Sequence, residues 1–307
     1  MCSRHTVKLS GWFVCALAAV CSFRIEVSKS NEPDKAATPA NDSMPAEKAG
    51  PVRSDNGLAM KFVWCAPGKF LMGASYSTRG QVEVTLRRGF WLGKYEVTQK
   101  EYQRIVGTNP SYFSVEGEGS KEVSGKDTNR FPIDQVSWDE AVAFCQTLTD
   151  LERKAGRLPA GWSYTLPTEA QWEYACRAGT TTKYSFGDKL SPGDAQIAGD
   201  KQGALGGPGP DGVEFSLATT TVGSFRANPW GLCDMHGNVW EWCRPEDSSL
   251  TGGADLEVAF LRQTQFYRGG GWECNAYDCD SAMRRGGLPN NRYRYLGFRV
   301  ALSPSNK

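Results

Sequence analysis

The sequence predicts an irregular, loop-rich α+β domain, and three observations carry that expectation. Its 307 residues include 34 glycines, 16 prolines and 10 tryptophans, a composition of turns and large aromatics rather than of long helices. Three Ser/Thr-x-x-Glu/Gln boxes mark the starts of separate helices. Short strands of alternating polarity open the domain, and no repeat period follows them.

Residues 58 to 63 and 70 to 72 read as strands around Pro67 and Gly68, while Val82, Val84 and Leu86 alternate with polar neighbours as a half-buried strand does. Thr98 and Glu101 then form a box that starts a helix reaching Val106, ahead of Gly107. Ser137 and Glu140 repeat the box before Ala141, Phe144, Cys145, Leu148 and Leu151, whose spacing puts one apolar face on a helix running to Lys154. Thr168 and Gln171 open a shorter helix through Tyr174 and Cys176, with Gly179 as a left-handed stop. Beyond it the chain is glycine, proline and aromatics without a period.

Charge and histidine content remove whole classes of function. Thirty-five Lys and Arg against 34 Asp and Glu leave a net charge of +1, so no global field draws in nucleic acid or an anionic membrane. The two histidines, His5 and His236, are too few for the imidazole sets of zinc hydrolases or non-haem iron oxygenases, and they poorly supply a Ser-His-Asp site. Residues 1 to 22 place Arg4 and Lys8 before a short apolar run with small residues behind it, the order of a signal peptide or a short membrane anchor. Residues 23 to 55 are polar and proline-dotted and read as a disordered linker, leaving 56 to 307 for one folded domain. The expected location is therefore outside the cytoplasm, in the periplasm or cell envelope, with any membrane contact confined to the amino-terminal segment.

Six separated segments then share one resemblance: GTNPSYF at 107 to 113, PIDQVSW at 132 to 138, LPTEAQWEY at 166 to 174, DMHGNVWEW at 234 to 242, GGGW at 269 to 272 and LGFR at 296 to 299. Together they resemble the formylglycine-generating enzyme, or sulfatase-modifying factor, family over about residues 58 to 302. The resemblance implies a C-type-lectin-like fold, low in regular structure and often calcium-stabilised. It also implies a copper-dependent oxidase that converts a cysteine in a sulfatase C-x-P-x-R segment to formylglycine. In such enzymes two cysteines four residues apart follow a GGS turn and bind Cu(I); here Cys274 and Cys279 follow GGG with the same spacing. Soft thiolates suit Cu(I), which is content with few ligands, so the pair is the candidate catalytic and copper site.

Departures from the pattern surround that pair. Gly271 stands for the serine of the turn and Asn275 for the histidine after the first cysteine, and the segment to Arg284 is shorter than in the authentic enzymes. Cys279 also matches the lone structural cysteine of inactive-looking relatives. A local disulfide, or two ordinary thiols, is the alternative reading. Trp240, Asn275 and Arg284 are the candidate substrate-binding residues, with Trp240 walling the pocket. Cys145 and Cys176 match cysteines that pair in some relatives, but Met283 and Val300 occupy the partner regions and buried free thiols are expected. Cys65, Cys233 and Cys243 complete an odd set within the domain.

By the same resemblance, Asp234, Gly237, Val239 and Glu241 would supply calcium with side-chain and main-chain oxygens. The alternative at Glu241 is a buried ion pair. A first calcium site falls near Gln196 and Ile197 in relatives, and His236 reads as a packed imidazole. Arg284, Arg292, Arg294 and Arg299 make the carboxyl end locally basic, either an acidic-peptide site or an ordinary solvated surface. The partner expected is a sulfatase polypeptide or another protein, met by a monomer. The rival to the oxidase is a non-catalytic envelope binding module on the same scaffold. An iron-dependent sulfoxide synthase is rejected because its histidine ligands are missing.

Overall fold

The computed structural model describes residues 48–74, 80–191, 193–198, 217–245 and 264–305; the expected signal segment and residues 23 to 47 of the linker lie outside these. β1 (Val52–Arg53), within the stretch read as linker, pairs antiparallel with β2 (Phe62–Cys65). The strand expected from residue 58 starts later. The Asn56 side-chain oxygen accepts the Leu58 and Met60 N–H groups at 3.2 and 3.0 Å, so this stretch is a turn held by one side chain.

β3 (Gly68–Gly73) and β4 (Gln81–Leu86) form a two-stranded hairpin, and β5 (Phe90–Gly93) returns to the main sheet. That sheet has the order β1-β2-β5-β11-β6, with β6 (Trp162–Thr165) and β11 (Ala301–Pro304) bringing distant parts of the chain together. A second sheet runs β10-β7-β8-β9 and is built from β7 (Trp240–Trp242), β8 (Gln265–Arg268), β9 (Arg284–Gly287) and β10 (Leu296–Gly297). β10 and β7 are parallel and the other pairs antiparallel.

All three capping boxes form, which fixes α1 (Gln99–Val106), α2 (Trp138–Lys154) and α3 (Glu169–Arg177) at their starts. α2 buries Ala141, Phe144, Cys145, Leu148, Thr149 and Glu152. Leu151, expected on that face, is 47% exposed; the buried position is Glu152, whose carboxylate takes the Gly57 N–H and the Arg157 guanidinium. α3 ends one residue earlier than expected, on Ala178 in the left-handed region, with Gly179 following in the same region.

Aromatic packing joins the helices to the second sheet's partners: Tyr102 stacks on Phe144 at 5.6 Å, and Phe144 meets Phe298 edge-on at 5.3 Å. Two indole N–H bonds then fix β7 against the start of α2, from Trp138 to the Cys243 carbonyl and from Trp242 to the Val136 carbonyl. β7 thus carries Trp240 and Glu241 into the core as rigid elements. Among the described residues no helix is long and apolar enough to cross a membrane.

Candidate functional site

The cysteine pair is set by the turn that follows β8. Gly269 and Gly270 both have left-handed φ, at 100° and 79°, and a side chain on Gly270 would collide with the Cys279 sulfur. The turn is closed by bonds from the Trp272 N–H to the Asn238 carbonyl at 2.8 Å and from the Cys274 N–H to the Gly271 carbonyl at 2.9 Å. A short 3₁₀ turn, Ala276–Cys279, follows and ends on the second cysteine. Cys274 and Cys279 are both buried free thiols, as are the other five cysteines among the described residues. No disulfide forms between the pair.

Sequence reasoning missed Glu273. Its Oε1 accepts the Cys274 thiol at 3.4 Å and the Trp240 indole N–H at 3.3 Å, while its Oε2 is buried without a partner. A Cβ on Gly271 would lie 2.5 Å from Oε2, so the missing serine side chain leaves the space this carboxylate fills. The only signal in the sequence was its position beside Cys274. Burial pushes both thiols well above the ordinary range, and the Glu273 charge raises them further; Cys274 is also a source of the rise at Cys279, so the two sulfurs are electrostatic neighbours.

The proposed substrate-binding residues divide. Trp240 is fully buried against Tyr267, edge-on at 5.3 Å, and shares Glu273 with Cys274. Asn275 is exposed, and its side-chain oxygen caps the 3₁₀ turn by accepting the Asp278 N–H. Arg284 turns away to Glu169 at 2.7 Å and packs 3.6 Å over the Phe266 ring. It ends a buried chain of alternating charge, Arg177, Glu173, Arg268 and Glu169, because buried charges require partners.

His236 supports the site from below. Its Nδ1 lies 2.9 Å from the Cys279 carbonyl, which can only accept, so Nδ1 carries the proton and Nε2 accepts from the Ser185 N–H at 3.1 Å. Burial pushes its pKa down to about 4 and keeps the ring neutral. The Cys176 sulfur sits 3.7 Å from Nε2, its own pKa pushed up to about 12 by burial.

At Glu241 the structure shows the buried ion pair that stood as the alternative to a side-chain calcium ligand. Both its oxygens are taken by Arg299 at 2.6 Å, one of them also by the Trp172 indole at 2.7 Å, and the pair is completely buried. Its side chain is therefore committed to an ion pair. Gly237 has φ 127° and presses its bare Cα face onto the Gln196 carbonyl, and Val239 is buried before β7. Asp234 does offer an oxygen: Oδ2 accepts the Gly223 N–H at 2.6 Å, but Oδ1 is buried without a partner. Beside it stands Glu96, also missed, whose Oε1 accepts from Asn238 at 3.0 Å and whose Oε2 is likewise buried and unpartnered. Burial and the neighbouring carboxylate raise the pKa of Glu96, and Asp234 is raised to about 6, chiefly by burial. The two carboxyls lie close enough to share a hydrogen bond when one of them is protonated, and as carboxylates they would offer paired hard oxygens to a cation. Gln196 and Ile197, near which a first calcium site is expected, are described, whereas the loop 199 to 216 lies outside the described residues. A cavity of about 480 Å³ between α2 and β6 shares no residue with either site.

This arrangement, short helices on an irregular pair of sheets with a glycine turn presenting two cysteines, is that of a C-type-lectin-like scaffold. The fold is shared with Treponema denticola variable protein 1, at a TM-score of 0.61 and 24% identity over 85% of this chain and all of that one. The family model "Sulfatase-modifying factor enzyme 1-like domain" matches residues 48–304, and the chain belongs to that family. A formylglycine-generating enzyme of Mycobacterium tuberculosis is 44% identical over 115 residues, 38% of this chain and 33% of the relative. An inactive C-alpha-formylglycine-generating enzyme 2 of Bos taurus is 30% identical over 173 residues, 56% of this chain and 50% of the relative. The chain thus spans between a third and a half of the length of these two relatives.

Proposed function

We propose that this chain is an exported oxidase of the formylglycine-generating type, with Cu(I) held by the Cys274 and Cys279 thiolates and a cysteine of a sulfatase polypeptide as substrate. The observation that carries this reading is the pair of neighbouring, buried, unbridged sulfurs at the end of the glycine turn, beside Trp240. Cu(I) is an ion that two soft thiolate donors satisfy. Copper bound there would supply dioxygen activation. Overall, the substrate CH2–SH becomes CH=O with sulfur leaving as sulfide; dioxygen takes two electrons from that carbon and two from an external thiol, and one water forms. Trp240 and Glu273 exclude water around Cys274 and fix its sulfur. The order of residues 1 to 22 supports export.

Calcium belongs to the same proposal, with the Asp234 and Glu96 carboxylates as its side-chain ligands and the Glu241 side chain given to Arg299. The rival binding module draws support from Asn275, spent on capping, and from Gly271, which supplies no hydroxyl. Incubation with copper, a thiol reductant, air and a C-x-P-x-R peptide separates the two. Mass spectrometry should find the aldehyde with the native chain and none with Cys274→Ser. Copper-loaded protein that yields no aldehyde would select the binding module.

A further inference from the structure

Arg294 differs from every other arginine of its segment. Arg284 pairs with Glu169 at 2.7 Å, Arg285 with Asp278 at 2.7 Å, Arg292 with Glu140 at 2.8 Å and Arg299 with Glu241 at 2.6 Å. The basic patch expected from the sequence is thus neutralised from within, apart from Arg294. That exposed guanidinium has no carboxylate partner among the described residues. It is held by two aromatic rings instead, 5.3 Å from Tyr112 and 5.3 Å from Trp272.

Those rings are themselves fixed. Trp272 stands edge-on to Phe113 at 5.3 Å, and its indole N–H reaches the Arg294 carbonyl at 3.3 Å. Tyr112 meets Phe113 edge-on at 4.9 Å. Trp272 also belongs to the turn that leads to Cys274, so the positive charge is anchored to the same turn as the first sulfur. Tyr293 and Tyr295 stack at 5.0 Å on either side of Arg294 in the chain and add half-buried aromatic surface.

We propose that Arg294 recognises a carboxylate on an extended polypeptide partner, an Asp or Glu side chain flanking the segment laid over the cysteine turn. A planar guanidinium resting against two aromatic rings matches a carboxylate's two oxygens. One unpaired charge among neutralised arginines suits a single carboxylate and not a polyanion, whose binding needs many cations. The inference rests on the polypeptide-partner part of the proposed function and is independent of copper.

The test is fluorescence polarisation with the full chain, no copper added, on labelled C-x-P-x-R peptides in which one Asp is moved stepwise through the flanks, each beside its Asn twin. One Asp position should bind about tenfold more tightly than its twin, as a charge-assisted hydrogen bond allows. Arg294→Gln should erase that difference while keeping the affinity for the Asn twin and the melting temperature. No preferred Asp position, or a preference that survives in Arg294→Gln, overturns the proposal. No peptide binding at all overturns it together with the peptide substrate, whereas the copper reading stands or falls separately on Cu(I) titration.

Discussion

His236 shows how one buried side chain links the site to pH. Folding lowers its pKa from the usual 6.5 to about 4, so the folded state disfavours the proton that the unfolded chain takes up readily. Its contribution to stability is complete above pH 6.5 and is lost as pH falls toward 4. The full shift corresponds to about 3 kcal/mol at most, from roughly 1.4 kcal/mol per pKa unit. Between pH 7.5 and pH 5 the stability measured by urea unfolding should change less favourably in the native chain than in His236→Asn, the raised acids Asp234 and Glu96 acting alike in both; equal changes would remove His236 as the cause. Sequence alone made this residue a packed imidazole, which it is. It could not reveal that its partners are the Cys279 carbonyl and Ser185, because only the folded loops bring those together.

The elements that were legible in the sequence are those whose signal is local. A capping box closes within one helical turn, so Ser137 with Glu140 located the start of α2 without any tertiary information. Ser137→Ala should cost about 1 kcal/mol in chemical denaturation, the usual worth of an N-cap hydroxyl, and a value near zero would mean that tertiary contacts alone hold that end. β7, β8 and β10 were not legible. They span four residues or fewer, are mostly buried and acquire their partners from distant chain, so no alternation had room to appear. The site divides in the same way. Cys274 and Cys279 were visible as a spacing, whereas Glu96 meets Asp234 only after β5 and the turn before β7 are packed together. Leu151 and Glu152 show the converse limit, since the apolar pattern holds from Ala141 to Leu148 and names the wrong residue only at its last position.

At the scale of the whole molecule, burial of charge governs what the scaffold can hold. Arg299 and Glu241 satisfy each other completely, and breaking such a pair is expected to cost about 3–5 kcal/mol. Glu96 and Asp234 are two neighbouring acids whose pKa values burial raises, and the proposed calcium would favour their charged forms. Added calcium should raise the melting temperature of the native chain, with about 2.7 kcal/mol gained at a hundredfold excess over the dissociation constant. Glu96→Gln should abolish the calcium-dependent increment; an increment that persists would place any calcium elsewhere. The cysteine turn is a second such region, with two thiols kept neutral by burial and by Glu273 until a cation is present to favour the thiolates. Cu(I) titration of the fully reduced chain against a competing chelator, with Cys274→Ser and Cys279→Ser alongside, tests that account most directly. One tight equivalent that both substitutions remove is the predicted result, and weak binding, or binding indifferent to either substitution, would contradict it.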